Sequence, residues 1–145
     1  YTVYDATPSR ARDGPQAFIQ GFTGFVQADA FGGYDGLYAT GATEVACWAH
    51  ARRKFVEARD TDPARCEHAL AAIRALYAVE RQARGLKSDE RRSLRQRESA
   101  PVLRAMGEWL TATRRQALPK SPLAQAITYA LNQWAALNRY VTDGD

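Results

Sequence analysis

Two short segments hold the side chains best suited to chemistry. The first is Gly24-Phe-Val-Gln-Ala-Asp29-Ala-Phe-Gly-Gly-Tyr34, where a carboxylate closes a short apolar run and a glycine-rich turn follows. Phe25–Ala28 reads as a buried strand, and open α/β sheets place reactive groups just beyond such strand ends, where the loops open onto a crevice. Asp29 therefore stands where a reactive carboxylate could sit. An aspartate here equally suits a turn or a helix cap, because its short side chain bonds to nearby backbone N–H groups. Residue type and position leave both roles open.

The second segment is Cys47-Trp-Ala-His-Ala-Arg-Arg-Lys-Phe55. Glu44–Trp48 reads as another buried strand, with a helix expected to follow directly, from about His50 to Arg59. One imidazole and three cations then sit in the opening turns of a helix, whose free N–H groups and dipole already favour phosphate. His50 precedes Arg53 by three residues and Lys54 by four, so the three share a helix face. His50, Arg52, Arg53 and Lys54 are thus candidates for contact with a nucleic-acid backbone. Capping or packing is the competing role for His50.

A zinc site drawn from Cys47, His50, Cys66 and His68 fails on spacing. The Cys-x-x-His half is acceptable, but Cys66 and His68 lie two apart on an expected helix and point to different faces. Two cysteines make no disulfide framework either, so reduced thiols of a cytosolic protein are the simpler reading.

The elements that must position these groups change character near residue 60. Before it, the chain is Gly-rich and aromatic, with short strand-like pieces. Tyr1–Tyr4 reads as a strand end followed by the turn formers Asp5, Pro8 and Ser9, and a short helix is expected over Gln16–Gly21. After it, three helical patterns follow. Cys66, Ala69, Leu70, Ile73, Leu76 and Tyr77 form the first apolar stripe. The second pattern starts at Ser88 as N-cap, and Pro101 is expected to break or kink it near Ser99–Ala100. Beyond Pro101 the stripe continues through Val102, Leu103, Met106, Trp109 and Leu110. The third opens with Ser121–Pro122, a cap followed by proline at the first helical position, and runs through Leu123, Ile127, Leu131, Trp134, Leu137 and Val141. These stripes are core.

Strands alternating with helices, then a helical block, give an α/β class that is mostly helical by content. Among 145 residues, 46% are hydrophobic and 25% charged, which suits a packed soluble domain and argues against disorder. No apolar run approaches the roughly 18 residues a membrane span requires, so no membrane partner is expected. The chain starts without an initiator Met and reads as an internal piece. Its net charge of +4 favours a polyanionic partner without proving one. The cations are almost all arginine, gathered at Arg52–Arg53–Lys54, Arg91–Arg92, Arg95–Arg97 and Arg114–Arg115. Arginine binds phosphate bidentately, although each later cluster also fits a solvated helix face.

Taken together, these strings resemble a known family. Gly24–Tyr34 and Cys47–Phe55, with Pro119-Lys-Ser-Pro-Leu-Ala-Gln-Ala-Ile-Thr-Tyr129-Ala-Leu-Asn-Gln-Trp134, match in order and spacing the insertion sequence sixty-six family of bacterial transposases. Tyr4-Asp5-Ala-Thr-Pro-Ser-Arg10 is similar to the stretch before that family's first helix. The resemblance implies a ribonuclease-H-like core with an Asp–Asp–Glu triad. Residues 1–60 would be part of that core, and residues 61–145 an all-α insertion leading toward the Glu-bearing helix. Asp29 falls at the second Asp; the first Asp would lie upstream of Tyr1 and the Glu downstream of Asp145. Asp5 reads as a turn residue, because the family fold puts more chain between its first two carboxylates.

The resemblance further implies Mg²⁺ or Mn²⁺ in the full-length parent, with Asp29 as one ligand and no tight binding by this segment alone. Implied partners are DNA, as transposon ends and target, and further copies of the protein in the active complex. The setting would be cytoplasmic, at the bacterial nucleoid. A non-catalytic DNA-binding or scaffold module, such as a degenerate remnant, is the competing expectation.

Overall fold

The computed structural model describes residues 13–28 and 35–145. Tyr1–Tyr4, Asp5, Asp29 and the Gly32–Gly33 turn lie outside them. The described residues are predominantly helical and fall into two compact units, residues 1–46 and 47–145.

In the first unit, α1 (Asp13–Phe18) is followed by β1 (Phe25–Ala28), α2 (Asp35–Ala39) and β2 (Thr43–Ala46). Gly21 turns the chain between α1 and β1 at φ +80°, a left-handed conformation that a side chain disfavours. The two strands pair in parallel, with Phe25 opposite Thr43 and Ala28 opposite Ala46. Parallel pairing needs a long crossover, which residues 29–42 supply. Because the strands run the same way in register, the chain leaves both at the same end of the pair. β1 matches its expected bounds, whereas α1 starts and ends earlier than Gln16–Gly21. Phe18, Phe22 and Phe25 remain about half exposed.

The second unit is a helical bundle of α3 (Trp48–Glu57), α4 (Pro63–Gln82), α5 (Ser88–Leu94), α6 (Ala100–Gln116), α7 (Pro122–Asn132) and α8 (Trp134–Asn138). Each helix buries the stripe its sequence offers. α3 turns Trp48, Ala51 and Phe55 inward, α4 Cys66, Ala69, Leu70, Ile73 and Leu76, and α6 Leu103, Met106 and Leu110. α3 packs on α7 and α4, and α6 on the same two helices. Phe55, Ile73, Leu110 and Ile127 reach complete burial where they meet. A core phenylalanine or leucine of this kind contributes about 1.5–3 kcal/mol through removal from water.

Local chemistry sets the helix starts. Asp62 caps α4, accepting from the Arg65 N–H at 3.1 Å, and Ser121 caps α7, accepting from the Ala124 N–H at 3.2 Å, each just before a proline. α5 is capped one residue earlier than expected: Glu90 Oε2 accepts the Lys87 N–H at 3.1 Å.

Near Pro101, where a break or a kink was expected, the helix does not break. Residues 95–99 instead form a π turn, and the helix runs on from α5 to α6 without interruption. Proline cannot donate to the carbonyl four residues back, and its ring crowds it. The widened turn accommodates this by a five-residue bond, Ala100 N–H to Arg95 O. Conversely, the third pattern is not one helix. Gln133 leaves helical geometry (φ −95°, ψ 9°), dividing α7 from α8, and a 3₁₀ turn (Arg139–Thr142) follows.

The π turn also carries a buried cation. Arg95 is 7% exposed. Its Nε and Nη2 donate to Glu80 Oε1 and Oε2 at 2.9 and 2.8 Å. Its Nη1 donates to the carbonyls of Tyr140, Asp143 and Asp145 at 3.3, 2.7 and 3.4 Å. The guanidinium also lies 5.4 Å from the centre of the Tyr140 ring. This one side chain ties α4 and α6 to residues 140–145.

Candidate nucleic-acid interface

α3 starts directly after β2, with Cys47 as its extended N-cap residue and no side chain bonding its first turn. Trp48 begins the helix instead of ending the strand. Its indole is drawn inward, donating to the Leu137 carbonyl at 3.0 Å and meeting Trp134 edge-on at 6.1 Å. That anchor, with Ala51 and Phe55, fixes which face of α3 points out.

Successive helix residues are about 100° apart. With Ala51 and Phe55 inside, Arg53 lies farthest from the core, and Arg52 and Lys54 flank it on opposite sides. All three are exposed and make no ion pair among the described residues. The half-buried Tyr77 of α4 has its phenol held above its usual pKa by burial and by the charge of Cys47, with the charge of Arg52 opposing. His50 shares the flank of Arg53 and Lys54 and is partly buried. Its Nδ1 is shielded from solvent and has no hydrogen-bond partner among the described residues. The structure therefore brings His50, Arg53 and Lys54 together and sets Arg52 on the other flank.

Cys66 is completely buried, and burial followed by the charge of Asp62 pushes its thiol up, which makes it a packing residue. His68, on the opposite face of α4, is exposed and stacks on Trp109 at 4.5 Å. Among the described residues, no three of His, Cys, Asp and Glu converge as a metal cluster, and no helix is long and apolar enough to cross a membrane.

The later arginine clusters have separate fates. Arg92 pairs with Asp89 at 3.3 Å, Arg97 with Glu98 at 2.8 Å, and Arg114 donates to Thr128 Oγ1 at 2.8 Å. Arg95 is the clamp described above. Sequence reasoning missed that burial; the only signal was its position beside Leu94 on the inward side.

The arrangement defines a class: a mixed α/β segment in which a parallel strand pair feeds a cationic helix anchored on a helical bundle. The chain belongs to the IS66 family of transposases, whose family model matches residues 1–145. Three similar proteins of Sinorhizobium fredii are the uncharacterized proteins y4hP, y4jD and y4qI. They are 32%, 31% and 31% identical, over 98%, 97% and 98% of this chain and 29%, 29% and 28% of their own lengths. The chain thus spans less than a third of these relatives. No solved structure matches it.

Proposed function

We propose that this chain is part of a DNA transposase that cuts mobile-element ends and joins them to target DNA, with Asp29 as one of three catalytic carboxylates on a ribonuclease-H-like core. The observation that carries the reading is the family match over the whole chain, with Asp29 in place after Phe25-Val-Gln-Ala28. Two further features support it: a parallel pair with a helical crossover suits an α/β core, and α3 offers unpaired cations on its outer face. Carboxylate oxygen is the donor that hard Mg²⁺ or Mn²⁺ prefers. Two such ions would activate the attacking oxygen and stabilise the leaving one. Asp29 can supply only one ligand, so the remaining carboxylates belong to other parts of the parent. The parent would work in the bacterial cytoplasm, as a multimer on DNA.

The outer face of α3 is the DNA contact in this reading. Each phosphate neutralised contributes about 0.9 to the slope of log affinity against log salt. Replacing Arg52, Arg53 and Lys54 by alanine should therefore lower that slope by about 2–3 in fluorescence-anisotropy titrations with duplex DNA. Their replacement by glutamate should abolish binding at low salt. Affinity indifferent to salt, or intact after charge reversal, would remove this face from the proposal.

A further inference from the structure

A second cationic feature lies at the turn joining α4 to α5. Here a cavity of about 420 Å³ is lined by Glu80, Ala83, Arg84, Gly85, Arg91 and Arg95. On residue count the lining is three cations against one anion, but the charges are not equivalent. Glu80 and Arg95 neutralise one another through two short bonds, and the remaining Arg95 nitrogen is taken up by three carbonyls. That pair forms a floor whose opposite charges cancel. Arg84 and Arg91 keep their charges uncompensated among the described residues.

The geometry around them is prepared. Arg91 is half-buried and steadied by one bond, from Nη2 to the Leu86 carbonyl at 3.1 Å, which leaves its other donors free. Gly85 lies in the turn after α4 at φ +82°. No atom lies within 4 Å of where its Cβ would stand, so the lining is open at Gly85. Two forked donors facing one open volume, with no carboxylate left to answer them, suit a tetrahedral dianion or a phosphodiester.

We infer that this notch, formed by Arg84 and Arg91 over Gly85 and the neutralised Glu80–Arg95 pair, is a phosphate-binding site that takes the backbone of a DNA strand. It lies on the helical bundle, on elements other than α3, and so gives the bundle a DNA contact of its own. The choice of DNA as the source of the phosphate rests on the reading of the parent as a transposase; the anion chemistry does not.

The test is duplex-DNA binding by the full chain across a salt series. It compares the wild type, Arg84→Ala with Arg91→Ala, Arg84→Glu alone, and the alanine variant of Arg52, Arg53 and Lys54. Arg84 is exposed and makes no contact that folding needs, so the single reversal guards against a folding defect in the double variant. The inference expects the double variant to bind on the order of tenfold more weakly, with the salt slope reduced by about 2, and the single reversal to weaken binding in the same direction. Excess inorganic phosphate should compete at the wild-type notch and not in the double variant. Unchanged affinity and slope in both notch variants, with weakening in the α3 variant, would overturn the notch and leave the transposase reading standing. Weakening in the notch variants alone would support the notch and remove the α3 face. Phosphate competition without DNA binding would keep an anion site and overturn its assignment to DNA.

Discussion

An Asp29→Ala substitution in the full-length parent should reduce cleavage of element ends on the order of a thousandfold or more, while leaving DNA binding within a few-fold of the wild type. A metal ligand at a phosphodiester site acts on charge that develops only as the bond breaks, and such stabilisation amounts to several kcal/mol. About 1.4 kcal/mol corresponds to each tenfold in rate, so loss of roughly 4 kcal/mol removes three decades. In the proposed reading, binding draws instead on cations such as those of α3, which the substitution does not touch. Burst and steady-state cleavage of labelled end DNA in Mg²⁺ would read the effect. A variant that retained more than a tenth of the wild-type rate would mean that Asp29 is a turn or capping residue.

The second large effect concerns Arg95. Arg95→Ala should destabilise the helical unit by about 3 kcal/mol and lower its melting temperature by about 10 °C. Removing one partner of a buried ion pair typically costs 3–5 kcal/mol, because the other charge stays behind unpaired. Glu80, however, has a side chain 34% exposed and can recruit water, which places the loss at the lower end. The substitution also strands the carbonyls of Tyr140, Asp143 and Asp145. A double variant, Arg95→Met with Glu80→Leu, should recover part of the loss, since apolar groups of similar volume tolerate burial without a partner. Thermal unfolding followed by circular dichroism separates these outcomes. A single variant melting within 2–3 °C of the wild type would show that the clamp carries no stability.

Where structure follows from neighbours in sequence, the chain was readable. Ser121–Pro122 starts α7 as expected, because a cap and a proline act within one turn. Phe25–Ala28 is a strand with the bounds its apolar run suggested. Two of the differences come from contacts distant in sequence. Trp48 joins the helix because its indole reaches the carbonyl of Leu137, eighty-nine residues away. The stripe from Leu123 to Val141 breaks at Gln133, after which Trp134 packs edge-on against Trp48. Pro101 was expected to break or kink a helix, yet the helix runs on and the π turn absorbs the lost donor.

The candidate site divides in the same way. The α3 cations could be found from spacing alone, because they lie within one helix. What spacing did not reveal is which face of α3 is buried, and that this sets Arg52 on the flank opposite Lys54. The three later arginine clusters looked interchangeable as text. Their separation into a buried clamp, surface pairs and an open notch depends on Glu80, Asp89, Glu98 and Gly85 meeting them in space. No local pattern encodes those meetings.

The central claim is that the Asp29 carboxylate holds a divalent ion in the assembled parent. The most direct measurement is anomalous X-ray scattering from Mn²⁺ in crystals of the full-length protein bound to its end DNA. The account predicts a peak at about 2.1 Å from an Asp29 carboxylate oxygen, shared with other carboxylates and a DNA phosphate. Ordered DNA with Mn²⁺ peaks only at other side chains, and Asp29 hydrogen-bonded to its own turn, would contradict it.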